Sequence, residues 1–189
     1  VELGSDVSVE DLRNYYHQIV YTVGAQTDRN LNIPGIDLQN SHPATEFVAW
    51  YNGHPDFRDY EFDLTQERVA VIGIGNVAVD VARILCRTRD ELMETDIADY
   101  ALEQLCNSNV KEVVMLGRRG PAQAAFTPPE AKELGEMAGA DAVVLPEEAE
   151  LDSLSQSSLA DADRGTMRNI EIIKELSQRD LSGKPKKLT

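Results

Sequence analysis

The stretch that decides the fold is Val69-Ala70-Val71-Ile72-Gly73-Ile74-Gly75-Asn76-Val77-Ala78-Val79-Asp80-Val81-Ala82-Arg83-Ile84-Leu85. An apolar run typical of a strand, Arg68–Ile72, leads into two glycines, and apolar residues then recur at helical spacing. Gly73 permits a tight turn, Gly75 lets the backbone come close to a pyrophosphate, and Ala78 lets the helix pack near the strand. The N-terminus of the helix offers free N–H groups and a positive dipole end to an anion. This pattern predicts a dinucleotide site.

Two adjacent arginines follow the next predicted strand. Residues 113–116 form a short apolar run that ends in Gly117-Arg118-Arg119-Gly120-Pro121. An NAD site usually carries an acid after this strand for the ribose 2′-OH, whereas an NADP site has an arginine nearby. Guanidinium groups bind phosphate oxygens in bidentate fashion and stay charged. Together with the glycine loop, Arg118 and Arg119 therefore indicate NADP rather than NAD.

Composition limits the class of protein. The chain has 189 residues, a size suited to one domain, and its 42% hydrophobic content is enough for a core. It lacks an apolar run of the ~20 residues that a membrane span needs. No basic and then apolar signal segment precedes the first helix signal, so we expect a cytoplasmic protein. The 33 acidic residues against 18 basic ones argue against a nucleic-acid surface.

No metal or dithiol centre is expected from the cysteines and histidines. Cys86 and Cys106 do not form a CxxC motif, and we interpret them as small buried hydrophobic residues. His17, His42 and His54 show no spacing typical of a metal site.

Other segments give weaker signals. Ser8 is predicted to start a short helix, residues 17–25 to form a strand, and Ala44–Tyr51 to form a helix. After the arginine pair, Thr127-x-x-Glu130 predicts a capping box at the start of a helix.

Three further segments complete the chain. Residues 140–146 are interpreted as a third strand, residues 167–176 as an amphipathic helix, and residues 183–189 as a basic loop.

Several motifs together resemble the adrenodoxin-reductase-like ferredoxin–NADP reductases. They are Gly75-Asn76-Val77-Ala78-Val79-Asp80-Val81-Ala82-Arg83, Gly117-Arg118-Arg119-Gly120-Pro121, Ala125-Phe126-Thr127-x-x-Glu130-x-x-Glu133 and Thr45-Glu46-Phe47-Val48-x-Trp50-Tyr51-Asn52-Gly53-His54-Pro55-Asp56. The resemblance covers nearly the whole chain. It implies a glutathione-reductase-type flavoprotein with one domain for FAD and an inserted one for NADP. NADPH would give hydride to the flavin, and single electrons would pass to an iron–sulfur ferredoxin.

The chain has only one glycine-rich fingerprint, at Gly73, so the resemblance implies that it is the NADP-binding domain of a larger flavoprotein. We expect an α/β, three-layer Rossmann-like fold with a central parallel sheet and flanking helices. Arg68–Ile72 should lie centrally beside residues 113–116. Residues 1–62 would form a leading segment from the FAD-domain side and residues 63–189 the Rossmann-like core. FAD is expected in the full-length protein and not on this chain alone.

The resemblance also implies roles for individual residues. The cofactor-binding loop would comprise Gly73, Ile74, Gly75, Asn76, Val77 and Ala78, with backbone N–H groups of residues 74–77 on the pyrophosphate. Arg118 and Arg119 would hold the 2′-phosphate, and Glu130 would touch the cofactor. Glu133 matches the acidic catalytic position, which pairs with a histidine of the FAD domain. An exposed carboxylate without a catalytic role is the alternative for Glu133.

Other functions stay open. One is a stand-alone NADP-binding module, and another is the NADP domain of a glutamate synthase small-subunit-like oxidoreductase. An independent dehydrogenase would need a catalytic Tyr–Lys or His pair after the nucleotide half. The tyrosines end at Tyr100 and the histidines at His54, so no such pair is present.

Overall fold

The computed structural model describes residues 1–22, 24, 27–29 and 31–189. The chain forms two compact units, Val1–Leu31 and Asn32–Thr189. Among the described residues, no helix is long and apolar enough to cross a membrane. The predicted division at residue 62 stays a prediction.

In the first unit, the described residues form one α-helix, α1 (Val9–Tyr15), and none of them is buried. The helix begins where predicted, because the Ser8 hydroxyl accepts the Asp11 N–H in a capping box. Residues 17–22 do not form the predicted strand. A strand needs a hydrogen-bonded partner strand, and none of the described strands pairs with this segment. Val23 and Ala25, which belong to the same prediction, lie outside the described residues.

The second unit contains seven α-helices and four strands. The helices are α2 (Ala44–Tyr51), α3 (Asn76–Cys86), α4 (Arg89–Met93), α5 (Asp99–Cys106), α6 (Pro128–Leu134), α7 (Ser153–Ser158) and α8 (Arg164–Ser177). The strands are β1 (Arg68–Ile72), β2 (Glu112–Leu116), β3 (Ala140–Ala142) and β4 (Lys186–Leu188).

The four strands form one parallel sheet in the order β1-β2-β4-β3. Val69 pairs with Val113, and Val71 with Met115. Helix α3 packs against β1, β2 and β4. Parallel strands require covering helices, because the connections between them cross over the sheet. The predicted α/β class with a parallel sheet and flanking helices is confirmed.

Two details of the predicted sheet are wrong. β1 lies at the edge of this four-stranded sheet and not at its centre, because β2 is the one strand of this sheet that pairs with it, and β4 lies between β2 and β3. The segment predicted as a basic loop therefore contributes this inner strand. Its lysines are tolerated there since the Lys186 amine donates to the Leu85 carbonyl oxygen at 2.6 Å, and Lys187 lies 3.8 Å from Glu112.

An aromatic cluster anchors the helix that follows the glycine loop. Trp50 is fully buried, and its ring centroid lies 5.6 Å from that of Phe47 and 5.1 Å from that of Phe62. The Tyr100 hydroxyl donates to the Trp50 carbonyl oxygen at 2.8 Å, which ties α5 to α2. Helix α2 also packs on α3, where Val79 is fully buried. The position of α3, and so of the loop before it, depends on this core.

Candidate nucleotide-binding site

The turn between β1 and α3 has the geometry that its sequence predicts. Gly73 has φ 146°, a conformation that side chains rarely adopt, and its N–H donates to the Leu116 carbonyl oxygen at 2.9 Å. A Cβ on Gly73 would lie 3.4 Å from the Cβ of Ala78. Gly73 therefore makes the turn, and the small Ala78 side chain lets α3 approach the strand.

The backbone at Gly75, where α3 begins, is open to a ligand. Gly75 is the N-cap residue of α3 with φ −112°, and no side chain caps the helix start. A Cβ added at Gly75 would meet nothing within 4 Å. The positive end of an 11-residue helix therefore faces free space in which an anion fits close to the backbone.

A second segment lies beside this loop. The Ala125 N–H donates to the Ile74 carbonyl oxygen at 2.9 Å, and the Thr127 N–H donates to Asn76 Oδ1 at 2.8 Å. Asn76 thus fixes the start of α6 next to the start of α3. The capping box predicted for Thr127 and Glu130 does not form, because the Thr127 N–H that Glu130 would bind is taken by Asn76.

The arginine pair follows β2 and adjoins the loop. Arg118 and Arg119 are both exposed, and within the described part of the chain neither guanidinium has an ion-pair partner. Gly117 brings the two segments together, since a Cβ there would lie 2.9 Å from Ile74 Cγ2. The arginine pair therefore follows a residue that contacts the loop. Its two unpaired guanidinium groups are suited to an anion with several phosphates.

Apolar side chains are exposed around the same loop. Ile72, Leu116 and Val77 are 55%, 47% and 53% exposed at the ends of β1 and β2 and the start of α3. Ligand sites in parallel α/β sheets lie at the carboxyl ends of the strands, with mostly apolar linings. These side chains offer such a lining beside the charged groups.

The two predicted acids lie on α6, one turn apart. Glu130 is partly buried, and its Oε2 atom is buried without a hydrogen-bond partner among the described residues. Glu133 is half exposed and forms an ion pair with Arg83 of α3. Arg83, whose side chain is 20% exposed, also contacts Asp80 at 2.6 Å. The structure thus places both acids on α6, whose start adjoins the loop, and the Arg83 guanidinium links α6 to α3.

The chain was compared with known proteins, and no family model matches it. NADPH-ferredoxin reductase FprA of Mycobacterium tuberculosis is 47% identical over 180 residues, which cover 95% of this chain and 39% of that protein. Mitochondrial NADPH:adrenodoxin oxidoreductase of Arabidopsis thaliana is 51% identical over 140 residues, 74% of this chain and 28% of that protein. A solved structure of M. tuberculosis FprA in complex with NADPH matches all of this chain with a TM-score of 0.85 at 45% identity.

Over nearly its whole length the chain is homologous to part of the adrenodoxin-reductase-like ferredoxin–NADP reductases. It spans about two fifths of the length of FprA, since the matches cover 39% of its sequence and 41% of its solved chain. The resemblance stated from the motifs is therefore confirmed.

Sequence reasoning missed the two ion pairs of Arg83. Arg83 lies within the quoted motif, and its i,i+3 spacing from Asp80 on α3 was a usable signal for an ion pair. Its partner Glu133 is 50 residues further along the chain, so that contact had no local signal.

The remaining predictions concern metal and thiol chemistry. Among the described residues no group of three or more His, Cys, Asp or Glu side chains could hold a metal ion. Cys86 and Cys106 are free, and burial raises the pKa of the Cys86 thiol to about 12. Cys86 therefore behaves as the small buried hydrophobic residue that was predicted, while Cys106 is only partly buried.

Proposed function

We propose that this reductase-family chain binds NADP(H) and positions it for hydride transfer to FAD held by another domain of a longer polypeptide. Electrons would then pass to a ferredoxin. The observation that carries the proposal is the open glycine loop beside two exposed, unpaired arginines. The similarity to FprA, whose solved structure is a complex with NADPH, supports it. A cytoplasmic location stays a prediction.

The phosphates of NADP(H) fit the positive parts of the site. The pyrophosphate would lie over Gly75, where the first N–H groups and the dipole of α3 stabilise negative charge. Arg118 and Arg119 would bind the 2′-phosphate, because a planar guanidinium matches phosphate oxygens. The formal net charge of the chain is −15, so this pair is a local basic spot on an acidic protein.

The acids of α6 fit the other end of the cofactor. The unpaired Oε2 of Glu130 is an acceptor, so it suits a hydroxyl of the nicotinamide ribose or the carboxamide NH₂ and not a phosphate. Glu133 would lie near the hydride-donating carbon. Hydride transfer needs no protein acid on the nicotinamide, so these residues would bind and orient the ring.

FAD would supply the hydride acceptor. The sequence has one glycine-rich fingerprint, at Gly73, and that loop is assigned to NADP(H). We therefore propose that the FAD-binding residues lie in the remainder of a longer protein, whose length in FprA exceeds that of this chain. The unburied first unit, with its exposed Tyr15, Tyr16, Val20 and Tyr21, is proposed to pack on that FAD domain.

The chain alone is expected to bind NADPH without oxidising it. Purified protein should be colourless and should leave the NADPH absorbance unchanged when ferredoxin or ferricyanide is added, because hydride transfer needs an acceptor within about 3–3.5 Å. Fused to the flanking FAD-domain segments of FprA, it should become yellow and reduce both acceptors. Turnover by the 189-residue chain without flavin would contradict the proposal. A colourless fusion that still binds NADPH would favour the stand-alone binding module.

Substitution of Gly75 separates binding from folding. Gly75→Ala should leave the unfolding free energy nearly unchanged, because its backbone is ordinary and the added methyl meets nothing within 4 Å. The methyl would occupy space needed by the pyrophosphate, so NADPH affinity should fall about tenfold or more, which is ~1.4 kcal/mol. Urea unfolding and calorimetric titration measure the two quantities.

Gly73→Ala is the matched control for Gly75→Ala. Its φ of 146° makes any side chain strained, so the variant should lose stability as well as affinity. A Gly75→Ala protein that binds NADPH as tightly as the unaltered chain would show that no phosphate lies over this glycine.

A further inference from the structure

Three charged side chains form one cluster between α3 and α6, which we name the acid–arginine cluster. Arg83 contacts the Asp80 carboxylate at 2.6 Å and pairs with Glu133 across the helix interface. Asp80 and Glu133 are 39% and 48% exposed, whereas Arg83 is 20% exposed. One guanidinium therefore serves two carboxylates, and the cluster carries a net charge of −1 when all three groups are ionised.

The neighbouring phenol does not change this charge. Tyr51 is buried beside the cluster, and burial, followed by the negative charge of Asp80, raises its pKa to about 12. Tyr51 is thus neutral at ordinary pH. Glu130, one turn before Glu133, adds a further carboxylate to the same side of α6.

The cluster lies further along α3 and α6 than the glycine loop. The bond from Thr127 to Asn76 joins α6 to the start of α3, and the ion pair from Arg83 to Glu133 joins the same two helices further on. If Arg118 and Arg119 bind the 2′-phosphate at the end of β2, the nicotinamide half of the cofactor lies on the side of α6. This step rests on the proposed function.

We propose that the acid–arginine cluster makes the site prefer the oxidised cofactor, NADP⁺, over NADPH. The two forms differ at the nicotinamide ring, which is neutral in NADPH and becomes cationic once its C4 carbon has lost a hydride. A cluster with net negative charge attracts the cationic ring, whereas it has no net charge–charge interaction with the neutral ring. Arg83 limits the preference, because it offsets one of the two carboxylates.

This preference has a consequence for electron transfer. A site that binds NADP⁺ more tightly than NADPH makes the bound cofactor a stronger reductant than the free one. For a two-electron couple each tenfold difference in affinity lowers the potential by about 30 mV. The cluster would thereby favour release of hydride from bound NADPH to its acceptor.

The test is the ratio of the dissociation constants for NADPH and NADP⁺, measured by calorimetric titration of the unaltered chain and its variants at low salt. Glu133→Gln removes a negative charge and should lower this ratio about threefold to tenfold, the size expected for one charge several ångströms from the ring. Arg83→Gln removes the positive charge and should raise the ratio by a similar factor. Both shifts of the ratio should become smaller at high salt.

The ratio should fall in Glu133→Gln and rise in Arg83→Gln, and these opposite changes distinguish an electrostatic role from a merely structural one. Loosening of α3 from α6 weakens both cofactor forms alike and leaves the ratio unchanged. Asp80→Asn, which should lower the ratio as Glu133→Gln does, provides the test if Arg83→Gln fails to fold. Glu136→Gln is the matched control, since Glu136 pairs with Lys132 at 3.2 Å outside the cluster and should leave the ratio within about twofold of the unaltered value.

The outcomes also separate this inference from the proposed function. If the unaltered chain binds neither form, the proposed function is wrong and the inference falls with it. If the chain binds both forms but the ratio is the same in Glu133→Gln and Asp80→Asn as in the unaltered protein, only the inference is wrong. A ratio that moves in the same direction for Glu133→Gln and Arg83→Gln likewise overturns it.

Discussion

Replacing both Arg118 and Arg119 with alanine is expected to weaken NADPH binding about a hundredfold and to leave NADH affinity nearly unchanged. Hydrogen bonds to charged groups contribute about 1.5–3 kcal/mol each. Both side chains are exposed, so solvent screening reduces their sum, and about 3 kcal/mol in total is a reasonable expectation. NADH lacks the 2′-phosphate, so it loses none of these contacts.

Calorimetric titration of the double variant with NADPH and NADH measures this effect. The matched control is Arg89→Ala with Arg164→Ala, which removes the same charge from exposed positions at the starts of α4 and α8. If the control weakens NADPH binding as much as the double variant does, the effect reflects the overall charge of the protein and not a 2′-phosphate site.

Truncation of Trp50 to alanine is expected to lower the free energy of unfolding by about 3–5 kcal/mol. The indole is fully buried against Phe47 and Phe62, and its loss leaves a cavity between α2, α5 and α3. Domains of this kind have only about 5–15 kcal/mol of stability in total, so the variant should unfold at a much lower urea concentration.

Trp50→Phe is the informative control. Trp50 Nε1 is buried without a hydrogen-bond partner among the described residues, so phenylalanine removes an unsatisfied donor while it keeps an aromatic ring. Its cost should be well below that of Trp50→Ala. Equal losses in urea unfolding would show that the cavity is not the main cause.

Local signals in the sequence predicted the centre of the site. Arg68–Ile72, the two glycines and Ala78 are adjacent in sequence, and each acts on a near neighbour, so their spacing alone determines the turn. The same holds for α2 and for the Ser8 capping box of α1. These elements could be predicted because the physical causes lie within a few residues.

Long-range contacts could not be predicted. β4 has three residues, two of them lysines, and its place in the sheet comes from pairing with Glu112 and Val113, far away in sequence. Likewise, the Thr127 N–H binds Asn76, 51 residues earlier, and this overrides a capping box that its own segment favours. A locally favoured hydrogen bond does not form where a residue distant in sequence accepts from the same donor.

The most direct test of the central claim is calorimetric titration of the unaltered chain with NADPH and with NADH in the same buffer. The open loop at Gly75 and the exposed Arg118 and Arg119 predict that NADPH binds more tightly, by about a hundredfold at low salt, with the difference reduced as salt is added. Equal affinity for the two cofactors, or no binding of either, would contradict the account.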